Sequence, residues 1–308
     1  MQIDFTKLTG SDKLISLIER KFTEDMKVEK IPSLIYLERD KKRAHLGGRG
    51  EVTIFFGPPK SGKSIVLEML TGLLLREDGE MGPLKKCKSA ENILYIDMEQ
   101  SVLEWSVDMN RVMKYAEIDK IPSNFLSMNF TSEFPNDRSF YLDELLNAIE
   151  KVDVVILDGV ADLVDSDSNP DKAKVSSERL KSLAVSKDCL IVGVLHTDAK
   201  GTRPRDHIGT KYQKIASSLI RVEKSEHSNM FSLKSYMNRN SGDWESVNFY
   251  VNGDNKMVDF RSLEKSKEFK GANFVNPKKD SIFTKEIDLD LLTNKSGITN
   301  IKNMKHGI

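Results

Sequence analysis

The sequence predicts an α/β fold with a mostly parallel central sheet flanked by helices. Apolar runs typical of buried strands alternate with helical patterns through the middle of the chain, and this alternation favours parallel strands. The runs are continuously apolar, as expected for strands that are covered by helices on both faces. After about residue 215 the runs are shorter and the turns tighter, so we expect antiparallel strands to be added there.

The predicted elements divide the chain into three parts. Strands are expected at 52–56, 93–97, 125–130, 154–158, 190–196, 218–222, 230–233 and 247–251, and covering helices include 141–152 and 171–186. We predict a lead-in segment over 1–45, with a helical stretch at 14–22 and a solvated charged stretch ending at 43. The core domain is expected over 46–258, followed by a polar, lysine-rich tail or small appendage over 259–308.

Charge, cysteine spacing and the lengths of the apolar stretches indicate which partners and which cellular compartment to expect. Lysine plus arginine number 47, as do aspartate plus glutamate, so a surface for nucleic acid would have to be a local patch. Cys87 and Cys189 lie far apart without metal-ligand spacing, which indicates reduced thiols. No apolar stretch approaches the roughly 20 residues that span a bilayer, and the first residues lack a signal-peptide layout. We therefore expect a soluble, cytoplasmic protein with no membrane partner.

The octapeptide after the first core strand has the pattern G-x-x-x-x-G-K-[ST], which is typical of a phosphate-binding P-loop. It reads Gly57-Pro58-Pro59-Lys60-Ser61-Gly62-Lys63-Ser64. In this pattern backbone amides surround the phosphates, Lys63 reaches the β and γ phosphates, and the Ser64 hydroxyl ligates Mg²⁺. An ordinary turn between strand and helix would not require lysine and serine at these two places. The motif therefore predicts ATP and Mg²⁺ as cofactors.

Two further strands end in carboxylates. Asp158 ends the run 154–158, at the edge where open α/β sheets bind ligands, so we expect it to hold the Mg²⁺ shell; an Asp-Gly turn is the alternative. Glu99 follows the run 93–97 and is suited to deprotonate the water that attacks ATP. The alternative for Glu99 is that it merely opens the next helix.

These motifs, together with the strand that ends in His196, resemble the RecA-like and DnaB-like ATPases in their order along the chain. The resemblance covers about residues 45–255. It is greatest to the RepA-like hexameric helicase branch and related ATPases of plasmids, phages and mobile elements. It implies a RecA-like P-loop NTPase core in which Glu99 is the catalytic base and His196 senses the γ-phosphate.

The polar loop after His196 resembles the loop that contacts single-stranded DNA in such motors. It carries Lys200, Arg203 and Arg205, which the resemblance makes candidate DNA contacts. A plain solvent loop is the alternative, and the acidic segment 162–169 argues against a second basic DNA loop.

The segment 233–242 resembles the strand and turn that carry lysine and arginine fingers in DnaB-like rings. Arg239, and less so Lys234, would then complete the site of a neighbouring subunit. An ordinary hairpin turn with an exposed arginine is the alternative.

The leading functional hypothesis is an ATP-driven, ring-forming DNA motor. Its expected partners are single-stranded DNA and further copies of the chain in a ring such as a hexamer. A replicative helicase is the expected type, and a companion protein is expected to supply an oligomerisation domain because the lead-in is too short to be one. The alternative is a nucleotide-gated replication initiator, loader or regulator with slow turnover. A small-molecule kinase is disfavoured because no arginine-rich lid is evident.

Overall fold

The computed structural model describes residues 31–260 except 167, 199, 226, 227, 254 and 255. Its main feature is a nine-stranded sheet in the order β13-β12-β11-β10-β3-β9-β8-β6-β7. The strands are β3 Val52–Gly57, β6 Ile93–Asp97, β7 Phe125–Asn129, β8 Val154–Asp158, β9 Leu190–His196, β10 Ser218–Lys224, β11 Met230–Asn238, β12 Val247–Val251 and β13 Val258–Asp259. The six strands from β10 to β7 in this order are parallel, and β11 to β13 are antiparallel. The predicted fold class is confirmed.

The strand order brings the ends of four strands together. Because β9 lies between β3 and β8, Gly57 pairs with His196, and Asp97 of β6 pairs with Asp158 of the adjacent β8. These ends form what we call the carboxyl edge of the sheet, and the starts of the same strands form its amino edge. Every motif singled out up to His196 is therefore delivered to the carboxyl edge by its strand.

Helices cover both faces of the sheet. The first core contains buried side chains of α1 (Lys63–Leu75) and α2 (Val102–Ala116). The second core contains those of α3 (Pro135–Ala148), α4 (Pro170–Ser186) and α5 (Asp206–Ile215), with a short 3-10 helix, Val160–Leu163. Burial on both faces explains why the parallel strands are continuously apolar. None of the helices within the described part of the chain is long and apolar enough to cross a membrane.

A second, four-stranded sheet corrects the predicted lead-in. Its order is β2-β1-β5-β4, formed by Ser33–Arg39 (β1), Lys42–Gly48 (β2), Glu80–Met81 (β4) and Leu84–Lys86 (β5). Residues 33–45 are thus a β-hairpin instead of a solvated lead-in. The charged residues cluster at its turn, where Asp40 and Lys41 have positive φ, while Leu34, Ile35 and Leu37 are buried in the first core. The charge run hid this apolar pattern in the sequence.

Two elements differ from their predicted bounds by more than two residues. The helix expected at 141–152 begins at Pro135, whose fixed φ suits the first helical position, and ends at Ala148. The strand expected at 230–233 continues to Asn238 because it pairs along the whole of β10. The helical stretch 14–22 and the tail beyond 260 lie outside the described residues, so the predicted domain limits stay predictions.

Candidate active site

The phosphate loop joins β3 to α1 and has the backbone of an anion-binding turn. Lys60 and Gly62 have φ of 62° and 91°, in the left-handed region. A Cβ on Gly62 would lie 2.7 Å from the ring of Phe231, and one on Gly57 would lie 2.4 Å from the carbonyl oxygen of Val222. Glycine is therefore required at both positions, since strands β10 and β11 press against the loop. The helix α1 begins at Lys63, so its free amides point toward the loop.

Lys63 is held in place by the loop and by the neighbouring strand. Its ammonium donates to the carbonyl oxygens of Gly57 (3.1 Å) and Pro58 (3.0 Å) and to Nδ1 of His196 (3.2 Å). Because an ammonium can only donate, Nδ1 of His196 must accept, and we assign the ring proton to Nε2. Burial lowers the pKa of Lys63, and the nearby carboxylates of Glu99 and Asp158 oppose this effect.

Asp158 has the environment of a carboxylate that is suited to bind a cation. It is 1% exposed, and the Tyr95 hydroxyl donates to its Oδ2 at 3.3 Å. Its Oδ1 is buried and has no hydrogen-bond partner within the described part of the chain. Burial raises its pKa well above the usual value, as do the charges of Glu99 and Asp97, while the Ser64 hydroxyl lowers it. A buried carboxylate oxygen without a hydrogen-bond donor is a suitable ligand for a hard cation. Asp158 and Ser64 therefore fit the Mg²⁺ shell predicted for them.

Glu99 is positioned by the turn that precedes it. Oδ1 of Asp97 accepts the backbone N–H groups of Glu99 (3.1 Å) and Gln100 (2.8 Å), which fixes the direction of the chain after β6. Oε1 of Glu99 then lies 3.5 Å from Nε2 of His196. His196 is the main cause of the lowered pKa of Glu99, against the opposing effect of burial. A line of contacts therefore connects Lys63, His196 and Glu99.

The loop after His196 is tied to this site. The backbone N–H of Arg205 donates to the carbonyl oxygen of His196 at 3.0 Å. The charge of Arg205 contributes to lowering the pKa of Glu99. Nε of Arg203 lies 3.3 Å from Oδ2 of Asp198, and Lys200 is exposed. The structure thus brings Arg205 to the rim of the site.

Arg239 lies far from the phosphate loop of its own chain. Its backbone N–H donates to the carbonyl oxygen of Ser217, whose own N–H donates to Val52 at the start of β3. By the rise of a strand, this amino edge is about 16 Å from Gly57. The guanidinium donates to the carbonyl oxygen of Lys214 at 2.6 Å. Lys234 forms an ion pair on the surface of the sheet, with its Nζ 2.5 Å from Oε2 of Glu223.

Two aspartates near Glu99 were not identified from the sequence as site residues. One is Asp97, which fixes the turn. The other is Asp162, in the 3-10 helix after Asp158, whose pKa is raised to about 6 by burial and by Glu99. Asp162 was included only in an acidic segment, although its spacing of four residues from Asp158 was a signal that it lies at the same edge.

Comparison with known families agrees with this geometry. A family model described as "AAA domain" matches residues 41–202, which is more than half of the chain. The chain belongs to this AAA-domain family. The match contains the phosphate loop, Glu99, Asp158 and His196, so the nucleotide-binding core of this AAA-domain protein is a P-loop ATPase domain. The narrower resemblance to RepA-like helicases stays a prediction.

Other comparisons give no closer guide to residue roles. No curated protein matches the sequence of this AAA-domain protein. Among solved structures, the crystal structure of the RadB recombinase is similar, with 15% sequence identity, a TM-score of 0.47, and coverage of 69% of this chain and 91% of that chain. Residue roles are therefore inferred from the geometry of this chain itself.

Proposed function

We propose that this AAA-domain protein is an ATP-hydrolysing, ring-forming DNA motor, of the replicative-helicase or RepA-like type found in phages and mobile elements. The observation that carries the proposal is the line of contacts from Lys63 through His196 to Glu99. It joins the group expected on the γ-phosphate to the group expected on the attacking water. Such a line lets the presence of the γ-phosphate control the position of the base.

The proposed mechanism is positioning and electrostatics. Lys63 and the loop amides bind the phosphates, and Glu99 orients a water molecule and removes its proton. Ser64 and Asp158 would hold Mg²⁺, which neutralises charge on the phosphates when it is bound. When Lys63 turns to the γ-phosphate it gives up its contact with Nδ1 of His196, so the imidazole is free to reorient.

Coupling to DNA would run through the loop after His196. Because Arg205 is hydrogen-bonded to the His196 carbonyl, a movement of His196 would shift the segment that carries Lys200 and Arg203. We propose that this segment contacts the backbone of single-stranded DNA. Arg239 would act on the site of the next subunit in the ring, since it cannot reach the phosphates of its own chain.

One observation supports the second candidate function, a nucleotide-gated initiator or loader with slow turnover. Arg203 is paired with Asp198 of the same loop, which reduces the charge offered to a phosphodiester. In that case ATP would control assembly on DNA without driving movement.

The two functions differ in how DNA changes hydrolysis. We would measure ATP turnover by the purified protein with and without single-stranded DNA, and then strand separation on a forked duplex. Matched variants are Lys63→Ala and Glu99→Gln, with exposed Lys120→Ala and Glu144→Gln as controls. A motor requires stimulation by DNA that the first two variants lose and the controls keep. Turnover that DNA does not change, together with DNA binding that ATP controls, would support the initiator instead.

A further inference from the structure

Two carboxylates face each other across Gly159. If this glycine carried a Cβ, the atom would lie 2.4 Å from Oδ2 of Asp162 and 3.1 Å from Oε1 of Glu99. Gly159 also has a φ of 95°, which other residues rarely adopt. The glycine directly after Asp158 thus keeps open the space through which the two carboxylates approach.

Asp162 is fixed in this position by its own short helix. Its backbone N–H donates to the carbonyl oxygen of Gly159 at 3.0 Å, which begins the 3-10 turn. On its outer side, Oδ1 lies 4.0 Å from the guanidinium of Arg138, a residue of α3. The Asp162 side chain lies near Glu99 and is 38% exposed, so it is also accessible to solvent.

The surrounding charges give the two carboxyl groups different proton affinities. The pKa of Glu99 is lowered, mainly by His196. The pKa of Asp162 is raised to about 6, first by burial and then by Glu99, while Arg138, His196 and Arg205 oppose this. A proton placed on Glu99 is therefore at a less favourable site than a proton on Asp162. Two neighbouring carboxyl groups with such different proton affinities can take different roles in one reaction, one as proton acceptor from the substrate and the other as the next proton carrier.

We propose that Asp162 is the relay partner of Glu99: Asp162 takes up the proton that Glu99 has removed from water and releases this proton to solvent. This inference rests on the proposed ATP hydrolysis. As the water oxygen bonds to the γ-phosphorus, the bond from that phosphorus to the bridging oxygen breaks and ADP leaves. One proton of the water passes to Glu99, and the other stays on the phosphate product. The first proton then moves to Asp162 and to bulk water, so that Glu99 is ionised again for the next turnover.

Asp162 acts through Glu99 in this scheme, as a positioning and relay residue, and the test must separate this role from a structural one. We would measure kcat and KM between pH 5.5 and pH 9 for the wild type, Asp162→Asn and Asp162→Glu, with affinity for a fluorescent ADP analogue as a second readout. The control is Asp165→Asn, an exposed carboxylate three residues on that pairs with Lys172 at 2.6 Å. Glu99→Gln is the reference for loss of the base.

The relay predicts that Asp162→Asn lowers kcat about tenfold, less than the roughly 10²–10⁴-fold contribution of a direct general base because Glu99 is still present, with KM and ADP affinity unchanged. The wild-type kcat should fall below about pH 6, as Asp162 becomes protonated, and this limb should be absent in Asp162→Asn. Asp162→Glu should recover part of kcat, which also tests the relay if the asparagine variant does not fold.

Other results would overturn the relay. A wild-type kcat and pH profile in Asp162→Asn would do so, as would equal losses of kcat and ADP affinity in both Asp162 variants. A failure of the proposed function has a different signature, because then the wild type would not hydrolyse ATP or Glu99→Gln would remain fully active.

Discussion

Asp153 directly precedes β8 and Asp158 ends it, and both carboxylates are almost completely buried, yet their surroundings differ. Asp153, at the amino edge, accepts from Arg49 (2.6 Å) and from the backbone and side chain of Asn92 (2.9 and 3.1 Å). Asp158, at the carboxyl edge, accepts the Tyr95 hydroxyl and is influenced by the Ser64 hydroxyl, but its Oδ1 has no hydrogen-bond partner among the described residues.

The pKa shifts follow the hydrogen bonds. For Asp153, burial raises the pKa, but the hydrogen bonds from Asn92 and Arg49 outweigh it and the net shift is downward. For Asp158, burial dominates and the pKa is raised. Burying a carboxylate without hydrogen-bond partners costs stability. The fold therefore contains an incompletely paired buried carboxylate at the carboxyl edge, whereas the buried carboxylate at the amino edge is paired. This difference indicates that the amino edge holds the sheet together and the carboxyl edge binds a ligand.

The largest expected effect tests whether Arg239, at the amino edge, contributes to ATP hydrolysis in the site of a neighbouring subunit. If Arg239 acts as an arginine finger, Arg239→Ala should lower DNA-stimulated kcat by about 10³-fold, within the range for such residues, and leave nucleotide affinity unchanged. The measurement is turnover and ADP-analogue binding. Mixing Arg239→Ala with Lys63→Ala should restore part of the activity, because some sites then combine an intact loop with an intact arginine. An unchanged kcat in Arg239→Ala would remove the finger role.

Asp158→Asn separates ligand binding from stability. We expect kcat to fall about 10²-fold because an amide is a poor partner for Mg²⁺, while the midpoint of urea unfolding stays the same or rises. The rise would come from replacing a buried, incompletely paired charge by a neutral group. Steady-state kinetics and urea titration check the two halves. A large loss of stability would contradict the contrast between the two edges.

Asp153→Ala should show the reverse pattern. Removing this carboxylate leaves the buried donors of Asn92 without their acceptor and takes away the charged partner of Arg49, so we expect the free energy of unfolding to fall by about 3 kcal/mol. Below the unfolding transition, kcat and nucleotide affinity should stay near wild type. Urea unfolding with and without ADP is the measurement. Normal stability with lost activity would show that Asp153 acts in the site.

The smallest effect concerns pH. The folded-state pKa values of Asp97 and Asp162 are about 6, above the ordinary value of aspartate, so the folded protein binds more protons between about pH 4 and pH 6. Stability should therefore increase as pH falls from 7 to 5. The contribution of Asp153 has the opposite sign and is lost only at lower pH, as pH falls through its lowered pKa. Urea midpoints at pH 7 and pH 5 check this, and Asp162→Asn should show a smaller increase.

The sequence is sufficient to predict the position of a residue where that position depends on local spacing. The strand ends at Asp97, Asp158 and His196 follow from apolar runs, and the phosphate loop follows from its pattern, because a strand places its last residue at a fixed edge. Asp153 and Asp158 flank the same apolar run, and the direction of the strand predicts which of them lies at the carboxyl edge. The pairing of Asp153 is not predictable from this run, because it depends on Arg49, which is 104 residues away.

Features that depend on distant neighbours were missed or misread. The charged turn of the β1–β2 hairpin favours a solvated segment in the sequence, whereas the strands pair with β5 and their apolar side chains pack in the same core as those of α1. Asp162 was missed because only a glycine in the left-handed region brings it back toward Glu99. Such approaches are set by the tertiary fold.

Single-turnover hydrolysis of Mg-ATP by the wild type and Glu99→Gln tests the central claim most directly, with bound nucleotide measured in the same samples. If Glu99 removes the proton of the attacking water, the variant should bind ATP as tightly as the wild type and hydrolyse it at least 10²-fold more slowly, within the range for loss of a general base. Equal rates of hydrolysis in the two proteins would contradict the assignment of the carboxyl edge as an ATPase site with Glu99 as its base.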